Sequence, residues 1–148
     1  MASHPNLRFV IADDHPMIRQ MVKQILEAKQ FRVVGVASDG REAVRLCRDL
    51  APDMAMLDLS MPQLNGIDVA RQIKRDSPGT GIIVLSTHSD GAYILESLRA
   101  GVTGYVTKDK AASHLPEAID AVCRGEIYVR ASGSQRCIEN GVIVGKHP

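Results

Sequence analysis

The stretch Leu7–Asp14, LRFVIADD, indicates the fold class of this 148-residue chain. Its apolar part, Leu7–Ala12, has the length of a buried strand, and two acids follow directly. Similar short runs rich in Val, Ile and Leu recur at Phe31–Ala37, Met54–Leu59, Gly81–Ser86 and Gly104–Thr107. Because these runs are apolar on both faces, they are typical of a parallel sheet that helices cover on each side.

Helical patterns fill the gaps between the predicted strands. Apolar residues recur there at spacings of three and four, and the second pattern opens with a capping pair, Asp39 and Glu42. The last pattern is predicted to begin with Ser113 as its N-cap and to end at Gly125. The alternation predicts an α/β, flavodoxin-like (βα)5 fold, a doubly wound five-stranded parallel sheet with strand order 2-1-3-4-5.

The predicted strands and helices occupy residues 1–128, which we interpret as one domain. Residues 129–148 are interpreted as a C-terminal tail, at most partly ordered, with no effector domain. Asn140-Gly141 between two apolar runs predicts a small hairpin in this tail. The tail is too short for a helix-turn-helix, so the chain is either a stand-alone domain or a fragment of a longer protein.

Composition excludes several classes of function. The 18 basic and 17 acidic residues give a net charge of +1, which provides no overall field for steering nucleic acid or membranes to the chain. The three cysteines lack CxxC spacing, so neither a disulfide framework nor a zinc site is predicted. No apolar run reaches the length of a membrane span. We therefore expect a cytoplasmic protein with reduced thiols that does not itself bind nucleic acid or membranes.

Three acids are predicted to meet at one edge of the sheet. Asp13 and Asp14 follow the first strand, Asp58 lies at the end of the third, and these strands are neighbours in the predicted order. Like charges held together repel each other unless a cation shares them, and oxygen ligands favour Mg²⁺. For Asp13 or Asp14 alone, an alternative is a cap on the helix that starts near Pro16.

Two further strand ends suit phosphate chemistry. Ser86 ends the fourth strand with a hydroxyl, and Lys108 follows the fifth with a cation that could neutralise phosphoryl oxygens. His15 lies beside the acid pair, but a single histidine does not predict a transition-metal site. These residues predict a Mg²⁺-binding pocket that handles phosphate, and they do not distinguish a phosphatase from a phosphate acceptor.

Five separated signals occur in order along the chain: the pair Asp13-Asp14, Asp58 in MLDLSMP, Pro62 with Gly66, Ser86 in IVLS and Lys108 in GYVTK. With them, residues 6–128 resemble the receiver domain of bacterial two-component response regulators. The run DDHPMIR from Asp13 is similar to the NarL/FixJ type, whose members usually continue into a DNA-binding domain that regulates transcription.

The resemblance implies a role for each site residue. Asp58 would accept a phosphoryl group from a sensor histidine kinase or phosphotransfer protein. Asp14 would bind Mg²⁺ directly and Asp13 largely through water, while the Asp58 carboxylate and the Ser60 backbone carbonyl would complete the protein ligands. Lys108 would pair with Asp58 before phosphorylation and with the phosphate afterwards.

The resemblance also implies a switch. Ser86 would move toward the phosphate, and Thr87 would offer it a backbone N–H. Tyr105 would then change rotamer and couple the pocket to the surface of helix four, strand five and helix five, through which a phosphorylation-dependent homodimer would form. Ser60 and His88 flank the pocket at positions that tune the lifetime of the aspartyl phosphate.

The predicted function is a signalling phosphoacceptor, which is not an enzyme with an external substrate. One alternative is a Mg²⁺-dependent phosphohydrolase with an aspartyl nucleophile. Such an enzyme usually needs a second acid two residues after Asp58, where this chain has Ser60. The other alternative is a pseudo-receiver that only binds partners, which usually lacks an acid or the lysine that this chain retains.

Overall fold

The computed structural model describes residues 6–59, 65–87, 91–130, 135–139 and 142–146. Within these residues the strands are β1 (Arg8–Ala12), β2 (Arg32–Ala37), β3 (Met54–Asp58), β4 (Gly81–Ser86), β5 (Gly104–Thr107), β6 (Tyr128–Arg130), β7 (Gln135–Glu139) and β8 (Val142–Lys146). The helices are α1 (Pro16–Ala28), α2 (Gly40–Leu50), α3 (Gly66–Asp76), α4 (Gly91–Arg99) and α5 (Ala111–Cys123). The five predicted strands are all present, with bounds within one residue of those expected.

The strands pair in the predicted order. The parallel sheet runs β2-β1-β3-β4-β5-β6, which confirms the flavodoxin-like α/β fold with order 2-1-3-4-5 and adds one strand. One apolar cluster, with Ala43, Ile73 and Ile94, packs under α2, α3 and α4; the other, with Val22 and Leu115, packs under α1 and α5. None of the helices among the described residues is both long and apolar enough to cross a membrane.

The predicted start of α2 is confirmed. The Asp39 side chain accepts a hydrogen bond from the Glu42 backbone N–H at 2.9 Å, which makes Asp39 the N-cap. The Glu42 side chain in turn accepts a hydrogen bond from the Ser38 N–H at 3.2 Å. The bond to Asp39 satisfies a donor that the first turn of the helix leaves unpaired, and the bond from Ser38 ties the preceding residue to the same turn.

The predicted start of α5 is wrong. A 3₁₀ turn, Lys108–Lys110, leads directly into the helix, so Ser113 lies inside α5 and is not its N-cap. The Ser113 hydroxyl donates to the Lys110 carbonyl at 3.2 Å, a bond that serine also makes within helices. Ala111 is 1% exposed, and its burial against the sheet starts the helix two residues before Ser113.

The sheet continues past the expected fifth strand and past residue 128. β6 pairs in parallel with β5, with Gly104 opposite Tyr128, Tyr105 opposite Val129 and Val106 opposite Arg130. Val129 is 1% exposed, so β6 belongs to the core rather than to a loose tail. Beyond it, β7 and β8 pair antiparallel as the predicted hairpin, whose turn residues lie outside the described part of the chain.

Candidate functional site

The fold brings the three predicted acids together. β1 pairs with β3, with Ala12 opposite Leu57, so the residues that follow meet at the carboxyl edge of the sheet. Asp13 and Asp58 are each 2% exposed, a depth at which carboxylates are rare unless they are paired or bind a metal. One oxygen of each, one of Asp14 and a ring nitrogen of His15 all lie within 4.8 Å of one another.

The acid pair does not cap α1. The N-cap position of this helix is His15, and it makes no side-chain capping bond. Asp13 Oδ1 instead accepts a hydrogen bond from the His15 backbone N–H at 2.8 Å, while Arg19 donates to the Asp13 carbonyl at 2.8 Å. The alternative in which Asp13 or Asp14 serves as a helix cap is therefore wrong, and these bonds hold the loop that carries both acids.

Lys108 reaches the same pocket from the end of β5. Its Nζ lies 3.3 Å from Asp58 Oδ1 and 3.2 Å from Asp13 Oδ2. The lysine side chain is 11% exposed. The backbone leaves β5 through a 3₁₀ turn that begins at Lys108. One largely buried ammonium thus contacts two of the three carboxylates, which leaves the pocket with an excess of negative charge when His15 is neutral.

The donor set fits a hard divalent cation. Asp13 Oδ2 and Asp14 Oδ1 are buried and accept no hydrogen bond from the described residues, although Lys108 and His15 lie near them. Three carboxylates that share one ammonium repel one another, and a further cation reduces that repulsion. Oxygen ligands with room for water are those that Mg²⁺ prefers. The expected contribution of Ser60 lies outside the described residues.

His15 is the site residue whose role the sequence did not indicate. Its Nδ1 lies 3.1 Å from Asp13 Oδ1, 3.1 Å from Asp14 Oδ1 and 3.9 Å from Asp58 Oδ2. The available signal was its position directly after the acid pair and before Pro16, which starts α1 and turns the chain at that point. The orientation of the ring is a tertiary property that a single sequence does not reveal.

The predicted hydroxyl and backbone donors flank the pocket. Ser86 ends β4 and is 1% exposed, and Thr87 follows it at the surface. A cavity of about 440 Å³ opens beside the acids and is lined by His15, Ile18, Thr87, Lys108 and Asp109. His88 lies outside the described residues.

Gly66 brings the start of α3 against the end of β3. Its N–H donates to the Leu59 carbonyl at 3.2 Å. A Cβ atom here would lie 2.6 Å from Leu59 Cα and 2.9 Å from the Asp58 carbonyl oxygen, so only glycine fits. The glycine therefore allows the backbone next to Asp58 to pack closely under the helix.

Tyr105, the expected switch residue, is fully buried. It belongs to the same apolar cluster as Ile94 of α4 and Val129 of β6. β6 also occupies the hydrogen-bonding edge of β5, so the expected surface of α4, β5 and α5 carries β6 at its centre. A dimer that used the β5 edge would have to displace β6.

Comparison with known proteins agrees with these features. The family model described as "Response regulator receiver domain" matches residues 9–120. The transcriptional regulatory protein DegU of Brevibacillus brevis is 34% identical over 134 residues, which cover 90% of this chain and 57% of DegU. The chain thus spans less than two thirds of the length of this relative.

Solved structures give the same result. The receiver domain of the putative response regulator NarL from Mycobacterium tuberculosis superposes with a TM-score of 0.77 at 31% identity, covering 83% of this chain and 100% of that domain. The isolated REC domain of RcsB from Salmonella enterica serovar Typhimurium, with the phosphomimetic BeF3⁻, gives a TM-score of 0.77 at 31% identity and covers 84% and 93% of the two chains. Another RcsB structure contains two dimers bound to two parallel DNAs.

Proposed function

The chain belongs to the response regulator receiver domain family, and on that premise we propose that Asp58 accepts a phosphoryl group whose charge switches the conformation of the domain. The donor is a phosphohistidine on a sensor histidine kinase or phosphotransfer protein. The output is transcription if the chain is part of a longer regulator like DegU, and protein contacts if it acts alone. We place this signalling in the cytoplasm, where thiols stay reduced.

The proposed step is a direct transfer to Asp58. A carboxylate oxygen attacks phosphorus, the O–P bond forms, and the N–P bond to the donor histidine breaks with its electron pair left on nitrogen. Lys108 Nζ, 3.3 Å from Asp58 Oδ1, orients the carboxylate and then neutralises a phosphoryl oxygen. The chain assists only its own phosphorylation and dephosphorylation.

Mg²⁺, when bound, neutralises phosphoryl oxygens and reduces their repulsion by the acids. We assign Asp14 as a direct ligand, Asp13 as a ligand largely through water, and the Asp58 carboxylate with the Ser60 backbone carbonyl as the remaining protein ligands. The support for this assignment is that three clustered carboxylates share a single lysine ammonium, which leaves an excess of negative charge at the site.

The switch follows from the new charge. We propose that Ser86 and the Thr87 N–H move toward the phosphate and pull the end of β4 inward. Tyr105 pairs with Val84 in the neighbouring strand and packs with Ile94 and Val129, so a change of its rotamer would reach α4 and β6. A partner that prefers this arrangement then reads the phosphorylated state.

The observation that carries this proposal is the buried contact between Lys108 and Asp58 beside two further carboxylates. The test is intact-mass measurement after incubation with acetyl phosphate and Mg²⁺. We expect one phosphate on the wild type, labile to hydroxylamine, and none after EDTA treatment. Asp58→Ala should remain unmodified, whereas Asp76→Ala, at the exposed far end of α3, should be modified like the wild type.

Each other outcome supports a different function. A wild type that stays unmodified would support the pseudo-receiver. Rapid turnover of small phosphate esters would support the hydrolase. Modification of Asp58→Ala to the same extent would exclude Asp58 as the acceptor.

We also propose a phosphorylation-dependent homodimer on the surface of α4, β6 and α5. Tyr93 and Leu95 of α4 are 39% and 41% exposed, and the related RcsB forms dimers on DNA. BeF3⁻ with Mg²⁺ should increase the mass measured by light scattering in the wild type and not in Leu95→Arg. Dimerisation of both proteins to the same extent would exclude this face.

A further inference from the structure

The imidazole ring of His15 lies at the edge of the acid cluster, beside the carboxylates of Asp13 and Asp14. Its Nδ1 lies 3.1 Å from Asp13 Oδ1 and 3.1 Å from Asp14 Oδ1. The ring is not engaged as a helix cap, because α1 has no side-chain capping bond. One ring nitrogen therefore points into the acidic cluster rather than into the helix.

These distances match an octahedral arrangement of ligands. With metal–ligand bonds of about 2.1 Å, neighbouring ligands lie about 3.0 Å apart and opposite ligands about 4.2 Å apart. The 3.1 Å separation between His15 Nδ1 and Asp14 Oδ1 corresponds to neighbouring positions, whereas the 3.1 Å separation from Asp13 Oδ1 is a hydrogen bond in the metal-free site. The 3.9 Å separation between His15 Nδ1 and Asp58 Oδ2 is close to that of opposite positions.

A second observation points to a ligand at this place. Asp13 has a side chain that is 3% exposed, and its Oδ2 lies 3.2 Å from the Lys108 ammonium, which also lies 3.3 Å from Asp58 Oδ1. The Asp14 side chain is 31% exposed, and its buried Oδ1 lies 3.1 Å from His15 Nδ1. Three carboxylates thus share one lysine ammonium, and the pocket keeps an excess of negative charge that a bound cation would neutralise.

We propose that His15 is a nitrogen ligand of the metal site, so that the site binds transition-metal ions such as Ni²⁺ through Asp14, Asp58 and His15, with Asp13 bound largely through water. Imidazole suits Ni²⁺, whereas Mg²⁺ prefers oxygen. His15 should therefore strengthen Ni²⁺ binding and contribute little to Mg²⁺ binding. This inference rests on the metal site of the proposed function and goes beyond its oxygen ligands.

The test compares two ions and two histidines. Ni²⁺ and Mg²⁺ dissociation constants are measured by isothermal titration calorimetry at one pH above the ordinary histidine pKa, on the wild type, His15→Ala and His114→Ala. His114 lies on α5, away from the acids, and serves as the matched control. Because the His15 side chain is 60% exposed, His15→Ala should fold, which a thermal melt verifies.

We expect His15→Ala to weaken Ni²⁺ binding at least about tenfold and to leave Mg²⁺ binding within about twofold. His114→Ala should match the wild type for both ions. Pulsed electron paramagnetic resonance of bound Mn²⁺ should show a coupled ¹⁴N nucleus in the wild type and His114→Ala that is lost in His15→Ala.

Unchanged Ni²⁺ binding and no ¹⁴N coupling would overturn the inference. Tighter binding of both ions by His15→Ala would also overturn it, because the ring would then obstruct the pocket. If the wild type binds neither ion, the metal site and the inference fail together. If the wild type binds Mg²⁺ and is phosphorylated but His15 has no effect on Ni²⁺, the inference alone fails.

Discussion

The two edges of the parallel sheet treat buried polar groups in opposite ways. At the amino edge, Thr80 is 1% exposed and Ser77 is 8% exposed, and their hydroxyls lie 2.7 Å apart. The Thr80 hydroxyl also donates to the Pro52 carbonyl at 2.8 Å, and the Arg8 N–H donates to the Asp53 carboxylate at 2.8 Å. Polar groups at this edge satisfy one another.

At the carboxyl edge, acids converge without enough donors. Asp13, Asp14 and Asp58 cluster there, and a single lysine ammonium contacts two of the three carboxylates. The polar groups at the amino edge thus stabilise the fold. The clustered acids at the carboxyl edge destabilise the metal-free protein but can bind a cation, as expected of a functional site. Removal of a polar group should therefore destabilise the fold at the amino edge and stabilise it at the carboxyl edge.

The largest effect is expected where the carboxyl edge depends on close packing. Gly66→Ala would place a Cβ 2.6 Å from Leu59 Cα, which overpacks the backbone next to Asp58. We expect the free energy of unfolding, measured with urea, to fall by about 3 kcal/mol, with loss of acetyl phosphate labelling. Gly91→Ala is the control, because Gly91 also starts a helix but a Cβ added there would meet no described atom within 4 Å. Equal stability of the two variants would contradict the packing argument.

The next effect concerns the amino edge. Thr80→Val keeps the shape of the side chain but deprives the Pro52 carbonyl and the Ser77 hydroxyl of a partner. We expect a loss of about 2 kcal/mol in urea unfolding, with phosphorylation unchanged. Thr103→Val is the control, because its hydroxyl is 3.5 Å from the Ile82 carbonyl and should matter little. A Thr80→Val protein as stable as the wild type would mean that this hydrogen-bond pair does not stabilise the fold.

A smaller effect of opposite sign is expected from the acids. Asp14→Asn removes one of three clustered negative charges without touching Lys108, so the metal-free protein should be more stable by about 1 kcal/mol. Mg²⁺ should stabilise the wild type and not the variant, because binding to the folded state raises stability. Unfolding in EDTA and in Mg²⁺ measures both effects, with Asp76→Asn as the control. Destabilisation of the metal-free protein by Asp14→Asn would contradict the comparison of the two edges.

The smallest effect concerns a group in the core between the edges. Burial raises the pKa of the Cys47 thiol from 9.0 to about 12. Above pH 9 the unfolded chain therefore loses this proton while the folded chain keeps it, so stability falls as the pH rises between those two values. From pH 8 to 9.5 we expect a loss of about 0.8 kcal/mol that is absent in Cys47→Ala. Identical pH profiles would show that Cys47 titrates normally in the fold.

The parts of the fold that the sequence predicted are those with strong local signals. Asp39 and Glu42 form a cap between neighbouring residues, and the strand runs are apolar on both faces, so no distant contact is needed to recognise them. The acids and Lys108 were predictable because parallel strands end at one edge.

The features that were missed depend on tertiary contacts. β6 has three residues, too few for a periodic pattern, and it becomes a strand because the β5 edge accepts it. The start of α5 follows from the burial of Ala111 rather than from the hydroxyl of Ser113. The approach of His15 to the acids depends on ring orientation, which spacing does not encode.

The sixth strand also changes what the protein presents to other chains. An open strand edge is a template on which a second chain adds its own strand, and such addition leads readily to aggregation. β6 fills the β5 edge, and at three residues it offers a much shorter template than β5 would. Assembly on this side of the molecule is therefore expected to depend on side chains, which a phosphate can modulate, and not on continuous sheet hydrogen bonding.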